Sequence, residues 1–108
     1  MQLIFIETKT FTRKLFKIWD ENLYFELQEA LLQNPDLGDL IPHGEGLRKV
    51  RWKAEGRGRR GGVRIVYFWA VRRDIILFLD VFPKNVKADL SRDELKSLAA
   101  TRREEIGE

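Results

Sequence analysis

The sequence predicts an α+β domain whose elements run β-α-α-β-β-β-α. Three observations carry this expectation. Apolar residues recur at helical spacing between residues 8 and 34. Two runs, Val63 to Trp69 and Ile75 to Phe82, are almost continuously apolar and rich in β-branched and aromatic residues. Lastly, Ser91-Arg92-Asp93-Glu94 is a capping box that opens a final helix. A chain of 108 residues is long enough for one real core and too short for two, so a single domain over 1–108 is expected.

Taken in order, residues 2–7 alternate enough to form a short first strand. Thr8 or Thr10 then caps a helix that sets Phe11, Leu15, Ile18 and Trp19 on one face. Asp20 caps a second helix with Leu23, Leu27 and Leu31 on one stripe and Tyr24 beside it. Asn34-Pro35 ends it, because the residue before a proline avoids the α region. So direct a junction between the two helices predicts an antiparallel hairpin. Asp36 to Gly46, with Gly38, Pro42, Gly44 and Gly46, reads as a connecting loop. Strands follow at 47–53, 63–70 and 75–82, with Arg72-Arg73-Asp74 as the turn between the last two. Leu95 and Leu98 supply the apolar contacts of the final helix.

The absence of cysteine excludes disulfides, thiolate metal sites and a cysteine nucleophile. The start, Met1 to Glu7, has no basic leader and only a short apolar run, so a soluble cytoplasmic protein without membrane association is expected. The formal charge is only +3, but it is segregated. Acids gather in Asp20 to Glu29 and in the tail. From Arg48 to Arg64 there are eight Lys or Arg side chains against one acid, Glu55. Turning Val50 and Trp52 toward the core puts Lys49, Arg51 and Lys53 on the opposite face, because strand side chains alternate. Such density repels itself unless an anion sits among it, and a polyphosphate is the obvious one. A solvated Gly/Arg loop is the other reading of Gly56 to Gly62, and composition leaves the two open.

Other residue types narrow the chemistry. His43, the only histidine, lies in a Pro42-His43-Gly44 loop and reads as solvated. No His, Asp and Glu are spaced as metal ligands, and no cofactor is expected. Trp52, Tyr67, Phe68 and Trp69 read as core rather than as base-stacking platforms. Asp80, inside an apolar strand, either orients a cleft cation or caps the sheet edge.

Several segments together resemble the RelE/ParE superfamily of toxins from bacterial type II toxin–antitoxin pairs, in particular its HigB branch of RelE-like toxins. They are Asn34-Pro35-Asp36-Leu37-Gly38-Asp39-Leu40-Ile41-Pro42, Gly46-Leu47-Arg48-Lys49-Val50-Arg51-Trp52, Gly61-Gly62-Val63-Arg64-Ile65-Val66-Tyr67, Phe82-Pro83-Lys84-Asn85 and Ala88-Asp89-Leu90-Ser91. With the helices, the resemblance covers almost the whole chain. It implies a helical hairpin packed on a small, twisted, mainly antiparallel sheet. It also implies a ribosome-dependent endoribonuclease that cuts mRNA in the ribosomal A site, silenced by a helix-turn-helix antitoxin of HigA type. Operator DNA would be read only through that complex.

The resemblance places Lys49, Arg51, Arg64 and Lys84 in the catalytic cleft, with Arg48, Lys53, Arg57, Arg59 and Arg60 as contacts to RNA. Arg48 has a second reading, as a salt-bridge partner of Glu45 or of a helix acid. An arginine fork suits phosphate oxygens, and a lysine crowded by cations can accept a proton. RelE itself carries an Arg just after the Lys matched by Lys84, and a Tyr a few positions on. Here those places hold Asn85 and, roughly, Leu90 or Ser91, so a general acid is missing from the pattern. Two other functions stay open: a ParE-like inhibitor of DNA gyrase with no active site, and an inactive antitoxin-binding or nucleic-acid-binding module.

Overall fold

The computed structural model describes residues 2–54, 62–87 and 89–107. Strand β1 (Ile4–Glu7) is followed by helices α1 (Lys9–Ile18) and α2 (Glu21–Gln33). Next come β2 (Asp39–Leu40), β3 (Leu47–Trp52), β4 (Val63–Ala70) and β5 (Ile75–Pro83), and α3 (Arg92–Glu105) closes the chain. The five strands form one sheet in the order β1-β5-β4-β3-β2. β1 runs parallel to β5, and the other pairs are antiparallel.

Local signals place the helix ends. The Thr8 side chain accepts the Phe11 N–H, and its hydroxyl also donates to the Leu79 carbonyl, tying the start of α1 to β5. Asp20 accepts from the Asn22 and Leu23 amides. Asn34 ends α2, and Ser91 and Glu94 form the reciprocal box at the start of α3. Because β1 and β2 lie on opposite edges of the sheet, the hairpin between them must cross its face.

That crossing creates the first of two cores. Phe11, Leu15, Leu23, Tyr24, Leu27 and Leu31 bury their apolar faces against Val50, Val63, Ile65, Tyr67 and Phe78. Phe78 is at its centre, stacked on Phe11 with ring centroids 5.0 Å apart and met edge-on by Tyr24 at 5.3 Å. On the other face, Leu47, Val66, Leu77, Leu79 and Phe82 pack with Ala99 and Ile106 of α3 and its flank. A sheet covered on both sides explains why β4 and β5 read as continuous apolar runs.

Some expectations change. The 36–46 segment is not all loop: Asp39 and Leu40 pair with Lys49 and Arg48. A two-residue strand is too short to show a period, and its partner lies on another segment. β1 begins at Ile4 rather than at residue 2, and β3 ends at Trp52 rather than at 53. The β4–β5 turn is a 3-10 turn, Val71–Arg73, closed by Asp74 in the left-handed region (φ 54°). A register shift at Val66/Tyr67 inserts Leu79 as a bulge in β5. Among the described residues, no helix is long and apolar enough to cross a membrane.

Candidate nucleic-acid interface

Strand alternation sorts the basic residues of β3 and β4. Val50, Val63, Ile65 and Tyr67 face the helical hairpin, so Lys49, Arg51 and Arg64 face the other way, on the side partly covered by α3. Arg51 and Arg64 are direct cross-strand partners, and Lys49, opposite Val66, is one diagonal step from Arg64. Directly opposed side chains lie about 5 Å apart at Cβ and diagonal ones about 7–8 Å apart. Like charges at such spacing destabilise a sheet unless an anion joins them. Lys84 lies at the same end of the sheet: its amide donates to the Gly62 carbonyl at 3.1 Å, just beyond the Arg64–Phe82 pair.

The backbone there has little freedom. Gly62 holds φ +70°, and a Cβ on it would come within 2.0 Å of the Trp52 carbonyl oxygen, so a larger residue would push apart the mouth of the β3–β4 ribbon. Tyr67 braces the neighbouring loop from the opposite face. Its buried hydroxyl donates to the Pro35 carbonyl and accepts the Gly38 N–H, each at 2.8 Å, and burial pushes its pKa up. Gly38 is required for that approach, since a Cβ would stand 2.8 Å from the Tyr67 ring.

Among the described residues, one acid, Asp89, enters this basic cluster. Asp89 Oδ2 accepts a hydrogen bond from Lys49 Nζ at 2.9 Å, while its Oδ1 accepts the Leu90 N–H. The Lys49 hydrogen bond leads in holding the Asp89 carboxyl below the usual range, and the charge of Arg64 adds to it. Its sequence signal is slight: Asp89 is the sole acid between Asp80 and Asp93.

Other basic residues are not brought to this cluster. Lys53 lies beyond the end of β3 and pairs with Glu26 of α2 at 3.3 Å, which corrects its expected place on the same face as Lys49 and Arg51. Once the strand ends, alternation no longer dictates direction. Arg48 faces the hairpin side and donates to the Gly38 carbonyl at 2.8 Å, so it supports the 36–38 loop rather than bridging to Glu45. Glu45 is instead engaged by Arg103. Arg57, Arg59 and Arg60 lie outside the described residues. Asp80 pairs with Lys14 of α1 at 2.6 Å and so ties the hairpin to the bulge in β5. His43 is exposed, at φ 61°. Trp52 and Trp69 pack against the hairpin core, and Phe68 lies under the Arg102 guanidinium at 4.4 Å. Leu90 packs into the second core and Ser91 caps α3, so neither stands in for a tyrosine acid. Among the described residues, no group of three or more His, Asp or Glu side chains is placed to hold a metal ion.

Chemically, the arrangement offers charge-assisted donors on one face. Arg64 and Arg51 present planar forks and Lys49 an ammonium group, with Lys84 at the same end of the sheet, which suits a phosphodiester taking on additional negative charge.

Comparison with known proteins agrees with the fold. The family model described as "RelE toxin of RelE / RelB toxin-antitoxin system" matches residues 4–105. Among solved structures, the chain is similar to the E. coli toxin RelE, a double arginine-to-alanine mutant in the free state. The match has a TM-score of 0.61 at 15% identity, covering 94% of this chain and 98% of that one.

Proposed function

Because the chain belongs to the RelE toxin family of RelE/RelB toxin–antitoxin systems, we propose that it is a ribosome-dependent endoribonuclease that cuts mRNA in the ribosomal A site. The observation that carries this reading is the facing pair Arg51–Arg64 with Lys49 one step away, a cation cluster on a sheet face free of the helical hairpin. RNA cleavage through the 2′-OH needs three things: a proton acceptor, stabilisation of the charge building at phosphorus, and a proton for the leaving 5′-oxygen. Arg64 and Arg51 stabilise the phosphorane-like charge. A lysine, Lys49 or Lys84, accepts the 2′-OH proton, and Lys84 or a ribosomal RNA group protonates the leaving oxygen. The ribosome supplies what the chain lacks, a fixed in-line geometry of 2′-OH and phosphate.

Arg57, Arg59 and Arg60 hold backbone phosphates in this reading. The partner is a separately encoded antitoxin of the helix-turn-helix, HigA-like type, and the setting is the cytoplasm. Purified protein added to ribosomes programmed with a defined mRNA is the test. Cuts in the A-site codon, with the same mRNA left intact when free, support the reading. Intact mRNA in both cases, together with inhibited DNA supercoiling, would transfer the protein to the gyrase-inhibitor class.

A further inference from the structure

We infer that Asp89 is an internal stand-in for phosphate: its carboxylate fills the anion subsite beside Lys49 and Arg64, and an incoming RNA phosphate must displace it. The inference rests on the proposed RNA cleft and adds to it a residue with no role in the account so far. In the RNA-free protein, Lys49, Arg51 and Arg64 share one face, and Asp89 enters it with a hydrogen bond from Lys49. Its two oxygens have separate work. Oδ2 takes the Lys49 ammonium and Oδ1 takes the Leu90 amide, so the carboxylate is oriented rather than loose.

The segment that delivers Asp89 is built into the fold. Leu90 packs into the core under α3, Ser91 and Glu94 close the capping box, and Lys87 pairs with Glu94. Lys87 also sits over the Phe82 ring, 4.7 Å from its centroid. Even so, the Asp89 side chain is 56% exposed, so it can turn out into solvent without disturbing that packing.

A carboxylate also satisfies the subsite incompletely. The Arg64 Nε–H is buried and has no hydrogen-bond partner among the described residues. With Oδ1 on the Leu90 amide and Oδ2 on Lys49, the Asp89 carboxylate leaves that Nε–H without a partner. A phosphodiester brings two non-bridging oxygens, enough for Lys49 and Arg64 together. A tethered carboxylate competes at an effective concentration on the order of millimolar, so free RNA is held off while RNA already positioned by a ribosome is not.

Inorganic pyrophosphate is the probe, titrated at low salt into the full-length protein and followed by calorimetry. Asp89→Asn is expected to bind it about threefold to fivefold more tightly than wild type, as loss of one exposed ion pair permits. Asp93→Asn, which removes the same charge from the exposed first turn of α3, should change affinity by less than about twofold. Asp89→Glu should keep the wild-type value, and the Asn gain should shrink in a Lys49→Ala background. If Asp89→Asn does not fold, Asp89→Ser carries the same expectation. Equal effects of Asp89→Asn and Asp93→Asn, weaker binding in Asp89→Asn, or no pyrophosphate binding in any variant would overturn the inference. Uncut mRNA on ribosomes would refute the ribonuclease reading and leave this affinity comparison standing.

Discussion

Arg64 and Tyr67 sit three residues apart on β4 and face opposite sides of the sheet, one toward the cation cluster and one into the core. Removing each should therefore have a different signature. Tyr67→Phe deletes the hydroxyl that joins the Pro35 carbonyl to the Gly38 amide and leaves both buried groups short of a partner. A loss of about 1–3 kcal/mol is expected, read as a lower urea midpoint with an unchanged slope. Arg64→Ala should leave stability nearly intact and lower ribosome-dependent cleavage by about a hundredfold or more, as loss of a transition-state donor does. Arg57→Ala and Arg59→Ala should instead weaken ribosome binding in a salt-dependent way. Single-turnover cleavage at saturating ribosome separates the two. Normal cutting by Arg64→Ala, with cutting abolished in the loop variants, would reverse the assignment.

The α3 start shows what a short element adds. Glu94 serves the capping box and also pairs with Lys87, and chiefly this Lys87 contact, then the Ser91 amide, lowers its pKa to about 2. A carboxyl lowered on folding stabilises the structure above its ordinary value of 4.5, and that contribution fades as pH falls through about 2. An NMR titration of Glu94 should accordingly show a midpoint near 2, moving up toward 4.5 in Lys87→Ala. A midpoint near 4.5 in the wild type would remove this ion pair from the account. The box itself was legible in the sequence because Ser91 and Glu94 carry their signal within four residues, as do the Asp20 cap and the Asn34-Pro35 stop. The cationic face was legible in part: period two puts Lys49 and Arg51 together once Val50 is turned inward, while Arg64, on another strand, was placed by the family resemblance and joins them through the β3–β4 register. Features set by distant partners were not legible. Asp39–Leu40 becomes a strand because β3 is beside it, Lys53 turns because Glu26 is near, and Asp89 reaches Lys49 across forty positions of chain.

The molecule as a whole is divided by its sheet: the hairpin fills one face, and α3 shares the other with the cations. α1 carries Lys9, Arg13 and Lys17, while α2 carries Glu21, Glu26 and Glu29. Exposed apolar side chains, Phe16 on α1 and Phe25 on α2, lie on the hairpin, and Ile4 is exposed on the β1 edge strand, turned to the face opposite Phe5. A neighbouring open reading frame should therefore encode an antitoxin with an acidic or amphipathic segment that docks on the hairpin or the sheet edge. Co-expression and pull-down check this, with recovery of growth as the second readout. If no neighbouring product binds and none restores growth, the toxin–antitoxin pairing proposed for this chain fails. The claim at the centre of the account, mRNA cleavage by this cation cluster on the ribosome, is tested most directly by sequencing the 5′ ends of cellular RNA after brief expression of the wild type and Arg64→Ala. The account predicts new ends inside translated reading frames, phased to codons and lost in Arg64→Ala. Unbroken mRNA beside accumulating double-strand DNA breaks would contradict it.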